Sequence, residues 1–134
     1  MLTSKIPAHP DWIINVPPTR AGGYEDIGRA LAMSERPTAA VCYNDIVAFG
    51  ALSALGERGI AAGPEFGVVG FDGVAATEHS NPPLSTVGVE PSHLGEIAAG
   101  ILLKRLREPD AVPLKHLAMP QLIVRQSSIK ASDR

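Results

Sequence analysis

Two strand-length apolar runs, Ala39-Ala40-Val41-Cys42-Tyr43 and Phe66-Gly67-Val68-Val69-Gly70-Phe71, flank the stretch Ile46–Leu55, in which only Ser53 is polar. That middle stretch is too long for an ordinary strand and reads as a helix. Gly59 stands at the helix C′ position, where glycine adopts the left-handed conformation without a side-chain clash, and Pro64 punctuates the loop beyond it. Strand, helix and strand in this order form a βαβ crossover, which fixes the two strands as parallel. Each strand ends in polar residues, Asn44-Asp45 after the first and Asp72-Gly73 after the second. Ligands of parallel sheets bind just outside the carboxyl ends of the strands. Asn44 and Asp72 are therefore the first candidate site residues. Each also has a purely structural reading: Asn44-Asp45 as helix caps, for which both residue types are suited, and Asp72 as part of an Asp-Gly turn.

The flanking sequence extends the pattern. Residues 1–11 carry Pro7 and Pro10 without periodicity and read as a flexible arm. Trp12-Ile13-Ile14-Asn15-Val16 reads as a strand stopped by Pro17-Pro18, and Thr19 as the cap of a helix from about Arg20 to Ser34. After Asp72-Gly73, Val74–His79 has room for one or two helical turns, and Asn81-Pro82-Pro83 makes a rigid turn. Leu84–Val89 is a strand rich in β-branched residues. Ser92 is placed to cap a helix running to about Arg107, with Leu94, Ile97, Ala98, Ile101, Leu102 and Leu106 as its apolar stripe. A last strand lies between Leu117 and Ser127, broken by Pro120, and the tail from Ile129 to Arg134 is polar. The expected fold is α/β, a doubly wound parallel sheet with helices on its faces.

Composition narrows the function classes. The chain has 134 residues, 45% hydrophobic and 19% charged, with net charge -2. That is an ordinary globular composition with no basic footprint for nucleic acid. One cysteine excludes an internal disulfide framework, and Cys42, inside an apolar strand, is a core residue. No apolar run reaches the length of a membrane span, and Met1–Pro7 lacks an apolar signal region, so a cytoplasmic protein without membrane contact is expected. Catalytic motifs are absent. Ser53 lies in Gly50-Ala51-Leu52-Ser53-Ala54, not in a nucleophile elbow. Gly67, Gly70 and Gly73 do not make a dinucleotide fingerprint, and His9, His79, His93 and His116 lack metal spacing. The expectation is a binding protein, not an enzyme, with no cofactor and no metal. An amide and a carboxylate in a cleft suit hydroxyl-rich ligands such as sugars, nucleosides and other polyols.

The stretch from Pro37-Thr38-Ala39 through Asn44-Asp45 to Ala48-Phe49-Gly50-Ala51 resembles the PTA…ND…A.GA segment of the lactose-repressor/galactose-repressor (LacI/GalR) family. Phe66-Gly67-Val68-Val69-Gly70-Phe71-Asp72 is similar to its VvGfDd strand, Pro82-Pro83-Leu84-Ser85-Thr86-Val87 to its PpLTTV, and Leu122-Ile123-Val124-Arg125-Gln126-Ser127-Ser128 to its closing RxSt segment. The similarity covers residues 12–128 in order. It implies the C-terminal part of a periplasmic-binding-protein-like, effector-binding core, in which residues 90–108 pack on an N-terminal lobe that this stretch does not match. By resemblance Asn44 and Asp72 match effector-contacting positions, Pro18 a wall position, and Val89 a contact at the crossover between lobes. Gly73 departs from the pattern, replacing a second Asp.

The resemblance further implies a homodimer or higher homo-oligomer. The helix over Ile46–Leu55 is apolar nearly all round, more than one sheet face requires, and Phe49 matches a dimer-contact position, with Ile46 and Leu52 beside it. A fully internal helix is the competing explanation. The function implied is effector sensing and dimerisation in a bacterial transcription regulator. It binds a small molecule, a sugar or related polyol, and touches DNA only through a helix-turn-helix domain outside this chain. A sugar-binding protein of an ABC transporter is the alternative with the same fold.

Overall fold

The computed structural model describes residues 10–129. In chain order these form a 3₁₀ turn at Pro10–Trp12, helix α1 at Arg20–Leu31, strand β1 at Ala39–Val41, helix α2 at Asp45–Glu57 and strand β2 at Gly67–Asp72. A 3₁₀ turn at Ala75–Thr77, strand β3 at Ser85–Gly88, helix α3 at Pro91–Arg107, strand β4 at Gln121–Ile123 and a 3₁₀ turn at Gln126–Ser128 follow. The strands make one sheet in the order β1-β2-β3-β4. β1, β2 and β3 are parallel, as the crossover requires, and β4 runs antiparallel to β3. The α/β, periplasmic-binding-protein-like architecture is present. The reversed β4 departs from the all-parallel expectation, because an apolar run does not encode strand direction.

The core lies where α2 packs on β2 and α1 packs on α2. Val68, on the α2 side of β2, and Phe66 just before the strand meet Val47, Ala48, Ala51 and Leu55 there, with Ile27 of α1 behind them. The two helices touch backbone to backbone. A Cβ on Gly50 would lie 1.9 Å from the Arg20 carbonyl oxygen, and one on Gly23 would lie 2.0 Å from that of Val47. Thr19 caps α1 through Oγ1, which accepts from Gly22 N at 3.1 Å. Val41 and Phe71 point away from α2 and are exposed.

The C-terminal turn is sewn to the sheet by side chains. The buried Ser127 hydroxyl donates to the Val68 carbonyl at 2.6 Å and accepts from Ser85 N at 2.8 Å. Arg125 Nη1 donates to Thr77 Oγ1 at 3.1 Å and to the Leu84 carbonyl at 2.9 Å. The Arg125–Ser128 motif is thus a set of bonds where β2 and β3 begin to pair.

Several expectations are corrected. Trp12–Val16 is not a strand. Pro10–Trp12 is a 3₁₀ turn and residues 13–17 have no regular structure. A strand needs a ladder partner for its backbone groups, and none flanks this segment among the described residues. The arm expected at residues 1–11 lies outside the described residues up to residue 9, and the tail lies outside them from residue 130. Ser92 does not cap α3. Glu90 holds the cap position without a side-chain bond, and Pro91 opens the helix, a position that suits proline because no intrahelical donor is lost there. No residue of α3 is buried, and Leu102, Leu103 and Leu106 of its stripe and flank are exposed. α2 has an internal reason for its all-round apolarity, since α1 covers one side and β2 another. Leu52, expected at a dimer interface, belongs to the core cluster, whereas Phe49 is half-buried and Ile46 is exposed.

Candidate functional site

Asn44 and Asp72 come together at one end of the sheet. β1 and β2 are neighbours with Val41 opposite Val69, and the bond from Cys42 N to the Val69 carbonyl carries the ladder one step beyond β1. Both candidates lie three residues past that pair, at the carboxyl ends of adjacent parallel strands. Asn44 performs its structural role: Oδ1 accepts from Val47 N at 2.9 Å and caps α2. Its Nδ2 has no partner among the described residues, so the side chain caps with one atom and offers a donor with the other. Asp72 is exposed, and its carboxylate is free to accept.

The backbone at Asp72 is unusual. Its φ is 113°, the only positive value for a residue other than glycine among those described, and Gly73 follows at 75°. Such conformations cost of order 1–3 kcal/mol and persist where surrounding contacts impose them. A Cβ on Gly73 would lie 2.7 Å from Gly88 Cα. The departure from a second acidic residue at position 73 therefore has a steric cause in this chain: Gly73 lies against Gly88, which is opposite Asp72 in register.

Sequence reasoning missed Asp45 and Thr86. Asp45 is completely buried. Its Oδ2 accepts from Val74 N at 2.9 Å, and its Oδ1 accepts from Thr86 Oγ1 at 2.6 Å. The signal was the Asn-Asp pair itself, because one residue suffices to cap a helix.

Pro18 and Val89 do not join the other candidates in one hollow. Pro18 lines a groove of about 410 Å³ between residues 12–18, α1 and the outer edge of β1, with Ile14, Val41 and Tyr43. Val89 lines a second hollow of about 710 Å³ beside Gly73, Gly88, Glu90, His93 and His116. Neither hollow is lined by Asn44 or Asp72. Cys42 borders the first groove as a core residue, and burial, reinforced by the charges of Asp26 and Asp45, pushes its thiol up to about 12. Burial likewise raises the carboxyl of Asp26, whose Oδ1 has no hydrogen-bond partner among the described residues and lies 3.8 Å from Arg29 Nη1. Among the described residues no group of three or more His, Cys, Asp or Glu is placed to hold a metal ion. No helix of the described residues is long and apolar enough to cross a membrane.

Comparison with known proteins gives a consistent family. Residues 2–128 match the periplasmic binding protein-like domain family. The HTH-type transcriptional repressor PurR of Mannheimia succiniciproducens is 40% identical over 105 residues, covering 78% of this chain and 31% of the relative. The Escherichia coli transcriptional repressor ascG superposes with a TM-score of 0.81 at 33% identity, over 93% of this chain and 45% of that one. A LacI family transcriptional regulator from Enterococcus faecalis, solved with bound ribose, gives a TM-score of 0.79 at 29% identity over 89% and 44% of the two chains. The chain thus spans about a third of the length of the curated relatives it matches.

Proposed function

The chain belongs to the LacI/GalR family of transcriptional regulators and carries part of its periplasmic-binding-protein-like effector domain, and on that premise we propose that it forms one wall of a polyol-binding cleft. The observation that carries this reading is the pairing of Asn44 and Asp72 at the carboxyl ends of adjacent parallel strands, with Asp72 held in a left-handed backbone. An amide donor and a carboxylate acceptor match the alternating donors and acceptors of adjacent hydroxyls. The ribose-bound relative supports a sugar or nucleoside as the ligand class.

The second wall comes from the opposite lobe. α3 fits that role as the contact element, because it carries an apolar stripe and buries none of it within the described residues. Effector bound between the lobes favours one lobe arrangement, and that preference changes operator affinity through a helix-turn-helix domain outside this chain. The regulator acts as a homodimer, with Ile46 and Phe49 of α2 at the surface that pairs. In the chain alone, a second copy covers the α3 stripe.

Calorimetric titration with ribose and with adenosine of a regulator containing this chain and its opposite lobe tests the site. Saturable binding of one of them is expected, weakened about tenfold or more by Asp72→Ala, since bonds to a charged acceptor contribute about 1.5–3 kcal/mol. Binding untouched by both Asp72→Ala and Asn44→Ala refutes the site, and no binding of either probe refutes the polyol class.

A further inference from the structure

Asn44 alone caps α2, so the acid beside it is not needed for capping. Asp45 is nonetheless wholly buried, and a buried carboxylate is tolerated only when its oxygens are bonded. Both are, and by groups from two other elements: the Val74 amide in the turn after β2, and the Thr86 hydroxyl on β3. The sheet makes room for this. Gly70, opposite Thr86 in register, would place a Cβ only 2.2 Å from Asp45 Oδ1. A larger residue there would evict the carboxylate.

The turn held by this carboxylate is the one that carries Asp72. Asp72 and Gly73 take consecutive left-handed conformations, and Val74 then returns to extended backbone at φ -64° and ψ 147°. Its amide is the first fixed point after the reversal, and it is fixed to Asp45. The residue that precedes Asp45 is Asn44, so a single side chain ties together the two segments bearing the candidate ligand contacts.

We propose that Asp45 is a positioning residue for the effector site, clamping Val74 to α2 and β3 so that Asp72 keeps its left-handed conformation beside Asn44. Its role in effector recognition rests on the reading of Asp72 given above, but the clamp is testable with no ligand present. Neither Asp45 nor Thr86 touches the effector; they act through Asp72.

Amide hydrogen exchange and nitrogen–proton correlation spectra of the 134-residue chain provide the test. The Val74 amide is expected to be protected and shifted downfield, as donation to a carboxylate requires. In Asp45→Asn one oxygen still accepts from Val74 and the new amide donates to the Thr86 hydroxyl, so most of the protection is retained. In Asp45→Leu the volume is filled without an acceptor, and exchange at Val74 rises about tenfold or more over the Asn variant. The Asp72 and Gly73 resonances move with it, while Val68 and Phe66 change far less. Should Asp45→Leu not fold, Thr86→Val supplies the second comparison. It frees one carboxylate oxygen, shifts the Val74 amide and leaves it protected. The proposal is overturned if Val74 is unprotected in the parent, if Leu serves as well as Asn, or if exchange rises equally at Val68. Loss of ribose or adenosine binding in Asp72→Ala reports on the ligand site alone, so failure of that reading and failure of the clamp are distinguishable.

Discussion

Replacing Gly50 with alanine adds one methyl group where the backbones of α1 and α2 meet. The new carbon would sit 1.9 Å from the Arg20 carbonyl oxygen and 2.8 Å from Tyr24 N. Non-bonded carbons rest at about 3.5–4.0 Å from their neighbours, so α1 and α2 must part by roughly 1.5 Å. No rotamer change relieves this, because the obstructing atoms are all backbone. A gap of 0.5–1 Å already forfeits roughly a quarter to a half of a contact's dispersion energy, and Ile27 of α1, 2% exposed, belongs to one core cluster with Val47 and Ala51 of α2. Overpacking usually costs about 1–3 kcal/mol, and the rigid backbone puts this case at the top of that range, near 3 kcal/mol. For a domain of this size that lowers Tm by about 10 °C. Gly100→Ala is the control. Nothing lies within 4 Å of its Cβ position, so helix propensity alone operates and α3 gains about 0.8–1 kcal/mol. Thermal unfolding followed by circular dichroism measures both. A Gly50→Ala chain melting within about 2 °C of the parent would show that the two helices do not meet backbone to backbone.

Ser127→Ala leaves the Val68 carbonyl and the Ser85 amide buried without their shared hydroxyl; urea denaturation is expected to show a loss of about 2–4 kcal/mol, and a loss below about 1 kcal/mol contradicts the bridge. Because the Cys42 thiol stays protonated up to about 12 when folded but ionises near 8.5 when unfolded, its contribution to stability is complete below about pH 8.5 and is lost as pH rises toward 12. Urea midpoints of the parent should therefore fall more steeply from pH 8 to 10.5 than those of Cys42→Ala, and equal slopes count against the buried thiol. Light scattering on the isolated chain is expected to show a dimer or higher oligomer that Leu102→Asp dissociates, Leu102 being 59% exposed on α3; a stable parent monomer rules out the pairing of this stripe.

The helices and the central crossover were legible because their signals are local. Thr19, Asn44 and Gly59 mark helix ends by chemistry that acts within a turn, and each occupies its expected position. Asn44 and Asp72 could be placed at one sheet end because a parallel crossover fixes which end of each strand meets the ligand side. What failed depends on partners distant in sequence. Trp12–Val16 has strand composition but no ladder strand beside it among the described residues, and the direction of β4 is set by how the chain returns from α3. Asp45 looked like a spare cap, because its bonds to Val74 and Thr86 span 29 and 41 residues. Ser127 was visible only as a letter in a motif, and its bridging hydroxyl was not.

That bridge has a consequence for the order of events during synthesis. The Ser127 hydroxyl reaches back 59 residues to the Val68 carbonyl. At roughly 5–20 residues per second a ribosome needs about 3–12 s to make the intervening chain. Throughout that interval β2 has been made, but the start of its junction with β3 lacks its closing partner. Contacts this distant in sequence form late because the loop must close before they stabilise anything. The nascent protein therefore cannot complete its sheet as the strands emerge one by one, and this locking step waits until Ser127 has been translated.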